Sequence, residues 1–157
     1  MCKLFKTPTS ITNWNVLSYE QVVAIFRAAG ITCEIPVRDD YFWFPDESAQ
    51  ISILQEAHVS APAYESITAT QPGFDCDKFA HHACDVAYLK KVNGWFEVWG
   101  ETPTGNHAWN VILSPSLEKG RVIITAFEAE PQKAYIWEIG TNPEYRIKTV
   151  YHIGDRV

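Results

Sequence analysis

The sequence lacks any block of lysines and arginines: 13 basic residues against 19 acidic ones leave a formal charge of −6. Nucleic acid and anionic membrane are therefore not expected as main partners, because both are held by clustered positive charge. No charge-free run approaches the roughly 20 apolar residues that cross a bilayer. The opening stretch MCKLFKTPTSITNW has two lysines but no apolar centre of the kind a signal peptide carries. A soluble, cytoplasmic protein is the expectation. Cysteine is scarce, and Cys2, Cys33, Cys76 and Cys84 show neither C-x-x-C nor a disulfide framework. Structural zinc is not expected either, since Cys76, His81, His82 and Cys84 would leave a helix on opposite faces. There is no internal repeat, no low-complexity segment and no sign of a domain boundary.

What is present suits one core-forming domain over 1–157: 46% of residues are hydrophobic and 13% aromatic. The stretch from Gln71 to Val92 organises the rest. Pro72 and Gly73 break the chain, Asp75 is a good N-cap, and Cys76 follows in the first helical turn, where unpaired N–H groups and the helix dipole favour negative charge. A thiol so placed is prepared to become a thiolate. At 3.6 residues per turn Ala80, Ala83 and Ala87 line up with Cys76, a small-residue stripe that lets another element approach closely. His81 and His82 turn away from that direction, so a base for the cysteine has to come from elsewhere.

Before this helix, residues 1–70 read as helical and irregular. Ser18 and Gln21 form a capping box for a helix that runs to about Ala29, where Gly30 stops it. Ile31–Val37 and Tyr41–Phe44 read as short strands, and Pro45 to Ser48 open a second helix that ends near a surface or capping His58. After Gly94 strands dominate: Trp95–Gly100, His107–Leu113, Arg121–Glu130, Ala134–Ile139 and Tyr145–Ile153, separated by turn residues. Helices first and a meandering antiparallel sheet afterwards make an α+β domain.

Two of these strands carry chemistry. His107 opens one just after the Gly105-Asn106 turn, on the same face as Trp109 and Val111. In the next, Glu128 and Glu130 continue the apolar face of Val122, Ile124 and Ala126, and a carboxylate there can orient an imidazole on the neighbouring strand.

Asp75-Cys76-Asp77-Lys78-Phe79-Ala80, Gly105-Asn106-His107-Ala108-Trp109-Asn110 and Glu130-Pro131-Gln132, in that order, resemble the papain-like cysteine-peptidase domain joined to the lectin of certain fungal agglutinins and related small proteins of bacteria and their phages. The resemblance spans Gln71 to Gln132. It implies a papain-like core in which the nucleophile helix packs on the C-terminal sheet. Cys76 would be the nucleophile, His107 the general base and Glu130 the orienting acid, with Glu128 in reserve. Gln71 would help form the oxyanion hole, and Trp109 would line the substrate groove. The substrate would be a protein or peptide, attacked through a thioester. Calcium-dependent activity also follows from the resemblance, although no D-x-D-x-D-G loop supplies ligands, and no other cofactor is expected. Transglutaminase- or deamidase-type acyl transfer on a protein side chain fits the same residues. So does a non-catalytic protein-binding module or inhibitor on the same fold. Oligomeric state stays open.

Overall fold

Aromatic and β-branched residues form the first strands, β1 (Trp14–Ser18) and β2 (Tyr41–Pro45), which pair antiparallel from Trp14↔Pro45 to Ser18↔Tyr41 in the computed structural model of the chain. The structure describes residues 11, 13–35, 39–65, 73–116, 118–130, 136–139 and 144–151. On β2, Phe42 and Phe44 are fully buried while Tyr41 and Trp43 stay exposed, the period of two that a half-buried strand requires.

Ser18 also starts α1 (Tyr19–Ala28). Its hydroxyl accepts from the Gln21 N–H at 3.4 Å, and the Gln21 side chain accepts from the Ser18 N–H at 2.8 Å, which satisfies two end groups of the helix. Val22 and Phe26 are its buried face. The strand expected over Ile31–Val37 does not form among the described residues of that stretch. Ile31 and Ile35 are buried, but Arg27 Nη1 donates to the carbonyls of Ile31 and Cys33 at 2.8 and 2.9 Å, taking acceptors that a ladder would use. Residues 36–38 lie outside the described set.

Asp46 caps α2 (Glu47–Ser60) by accepting from the Ala49 N–H at 3.0 Å. The buried Gln50 ties this helix to the sheet: its amide donates to the Leu113 carbonyl at 2.8 Å and accepts from the Trp95 indole N–H at 3.1 Å. A buried amide so satisfied fixes one orientation of α2. Then comes α3 (Cys76–Leu89), whose Ala80, Ala83 and Ala87 are essentially inaccessible. Without bulk there, the helix closes onto the sheet. Asn110 clamps it, donating to the Ala80 carbonyl at 2.9 Å and the Cys84 sulfur at 3.2 Å.

The remaining strands are β3 (Trp95–Thr102), β4 (Gly105–Ser116), β5 (Arg121–Phe127), β6 (Ile136–Glu138) and β7 (Arg146–Tyr151). They form one antiparallel sheet in the order β6-β5-β4-β3-β7. Edge-on aromatic pairs cement the core, Phe26 with Phe96 at 5.1 Å and Trp95 with Phe127 at 5.0 Å between centroids. The helix-packed papain-like α+β core expected from the sequence is corrected here. More residues lie in strands than in helices, and there are two sheets. The physical reason is that α1 and α2 lie against β1, β2, β5 and α3, so they do not form a helical body of their own.

Gly100 marks a close approach of backbone and ring. A Cβ there would collide with the Arg146 carbonyl oxygen and lie 2.7 Å from Trp109 Cη2, and the β3–β7 register shifts at Trp99/Gly100. Gly100→Ala is expected to lower stability by about 2–3 kcal/mol. Urea unfolding should show an earlier midpoint at unchanged slope.

Candidate functional site

Three elements bring a thiol, an imidazole and a carboxylate together. Cys76 is the first residue of α3, reduced and half-buried. The lead-in is fixed by Phe74, whose carbonyl accepts from the Glu65 N–H at 2.9 Å and whose ring meets Phe79 edge-on at 4.7 Å. Asp75 occupies the N-cap position, but its carboxylate does not cap the helix. It binds Lys78 Nζ at 3.2 Å and shares a hydrogen bond with Asp77. That bond, helped by Lys78, holds Asp75 below the usual carboxylate range, whereas burial and the same bond push Asp77 above it. One negative charge is thereby favoured over two beside the sulfur.

His107 is the third residue of β4, opposite Gly100 on β3. Its ring lies nearly parallel to Trp109, with centroids 6.1 Å apart and an interplanar angle of 20°. Glu128 follows the last residue of β5 and is 1% exposed. Both of its oxygens accept from His107 Nε2, at 3.0 and 2.9 Å. The same imidazole is hydrogen-bonded to Cys76. Burial pushes the His107 pKa down, but the bonds to the Cys76 sulfur and the Glu128 carboxylate, with the charges of both, outweigh it and raise the value to about 9. An imidazole that keeps its proton at neutral pH stabilises negative charge on sulfur, and the carboxylate behind it fixes its orientation. Chemically, the set presents a nucleophilic sulfur next to a proton donor.

Several sequence expectations change here. The acid that meets His107 is Glu128, the reserve candidate, in the place expected for Glu130; Glu130 is itself buried. Trp109 is fully buried as a floor beneath His107 and does not line a groove. Gln71, Pro131 and Gln132 lie outside the described residues. His58 is not a plain surface residue, because its Nε2 meets the Glu128 carbonyl at 3.4 Å. His81 lies 3.7 Å from Asp85 and 3.5 Å from the buried Glu97. The Asp85 contact is readable as an i,i+4 helix pair; the Glu97 and His58 contacts depend on tertiary packing and leave no local signal. Among the described residues no group of three or more His, Cys, Asp or Glu side chains could hold a metal ion, so calcium has no ligand set there. Among them, too, no helix is long and apolar enough to cross a membrane.

No family model matches the chain, and comparison with curated proteins finds no match. Solved structures do. One, titled as the PSL1a–E64 complex, is 23% identical with a TM-score of 0.61 over 84% of this chain and 49% of its own. Another, Polyporus squamosus lectin bound to a human-type influenza-binding epitope, is 21% identical with a TM-score of 0.63 over 86% of this chain and 49% of its own. The fold is therefore shared with this lectin chain, and the present chain spans about half of its length. These matches correct the expected kinship with a papain-like peptidase and, with it, the expected cysteine hydrolase activity: the fold found is the one shared with the Polyporus squamosus lectin chain.

The two glutamates give a direct check of the site. The His107 ring protons, followed by NMR, should titrate near pH 9. Glu128→Gln should lower that midpoint clearly, with the Cys76 bond keeping part of the rise, while Glu130→Gln should leave it nearer 9.

Proposed function

We propose that the chain is a protein-binding module that holds its ligand at the mouth of Cys76, the sulfur serving as the gripping atom. The observation that carries this reading is the hydrogen-bonded set of Cys76, His107 and Glu128, with a half-buried sulfur at its outer end and two enclosed partners behind it. Structural cysteines are usually inert and need no imidazole on a buried carboxylate. The ligand class that suits the set is a protein or peptide presenting an electrophilic carbonyl. The sulfur adds to the carbonyl carbon and a C–S bond forms. The π pair moves to oxygen, and His107 supplies the proton to that oxygen. No group leaves, so the adduct is reversible and atoms balance. A binding role is also supported by the neighbours, each of which is titled by the ligand it holds.

Labelling with chloroacetamide at pH 7, read by mass spectrometry, tests the reading. Cys76 should react at least about tenfold faster than Cys33, whose thiol pKa burial pushes up. His107→Ala should remove that advantage, and a peptide aldehyde should protect Cys76. Equal rates for the two cysteines would show that the sulfur is not activated. Cleaved peptide released over many turnovers would overturn the binding reading in favour of catalysis.

A further inference from the structure

The structure assigns a positioning role to His58, at the end of α2: we propose that its Nε2–H, donated to the Glu128 main-chain carbonyl, aims the Glu128 carboxylate at His107. The inference rests on the Cys76 site described above and adds the element that holds its acid in place. Pairing between β4 and β5 ends at Asn110↔Phe127, so the sheet does not set the main chain of Glu128. Yet Glu128 is 1% exposed, and a buried carbonyl needs a donor. His58 Nε2 stands 3.4 Å from that carbonyl. Its own ring is partly buried, and burial pushes its pKa down, so at neutral pH it is a neutral ring donating through Nε2.

A positioning residue has to be fixed itself, and α2 is fixed on several sides near His58. Ala57 is 2% exposed in the core. The Ser60 hydroxyl and His82 Nε2 on α3 are 2.9 Å apart, and Lys90 Nζ just beyond α3 meets Glu56 at 2.8 Å. His82 in turn packs against Phe74, two residues before Cys76. The end of α2 thus touches both sides of the site, the acid through His58 and the lead-in to the thiol through Ser60 and His82. A shift of this turn moves Glu128 relative to His107.

The test uses His58→Ala and His58→Gln in the full chain, with the His107 NMR titration as readout and thermal melting to confirm folding. His58→Ala should lower the His107 midpoint by about one unit, a tenfold weaker hold on the proton. His58→Gln, whose amide N–H can reach the same carbonyl, should restore most of the shift. A folded His58→Ala protein with an unchanged midpoint would overturn the role of His58 while leaving the site intact. A wild-type midpoint near 6.5 would instead remove the site reading itself.

Discussion

The pairing of His107 with Glu128 is the interaction on which the rest depends. A carboxylate with 1% exposure is costly to bury alone, and the cost is met when a protonated imidazole donates to it. The same bond raises the proton affinity of the imidazole, which then keeps its charge where Cys76 can use it. Each group therefore explains the state of the next. Remove the carboxylate and the imidazole loses its orienting partner and part of its hold on the proton; remove the imidazole and the buried carboxylate loses the donor that faces it.

That pairing is held by packing farther away. The alanine stripe lets α3 sit close on the sheet, and Asn110 locks it by bonding to Ala80 and Cys84. Gly100 leaves room for the Trp109 ring, which supports His107 from below. Gln50 joins α2 to Leu113 and Trp95, so the helix that carries His58 is anchored to the sheet that carries His107. The thiol, the imidazole and the acid come from a helix start, a strand start and a strand exit. Such ends are placed only as well as the elements behind them are packed.

Local rules made much of this legible. The capping box at Ser18, the helix beginning at Cys76, its buried alanine face and His107 near the start of a strand each follow from spacing within a few residues. The choice between Glu128 and Glu130 was not legible, because the two share one face by alternation, and β5 ends at Phe127, before either of them. Ile31 and Ile35 look like strand residues by composition, but Arg27 claims the carbonyls of Ile31 and Cys33. Trp109 is expected from sequence in a groove, and the room that Gly100 leaves for the indole makes it a buried floor instead. The expected kinship with a peptidase rested on three short stretches in order. Such words locate a thiol, an imidazole and an acid without fixing the architecture around them, and the fold proves to be the one shared with the Polyporus squamosus lectin chain.

The central claim is that Cys76, His107 and Glu128 act as one unit, and a double-mutant cycle on the alkylation rate of Cys76 tests it most directly. The cycle compares the native chain with His107→Gln, Glu128→Gln and the double variant. The account predicts strong non-additivity: once His107 is replaced, losing Glu128 should change the rate little, giving a coupling of at least about 1.4 kcal/mol, or tenfold. Effects that simply add would mean that the carboxylate does not reach the sulfur through the imidazole, and would contradict the account.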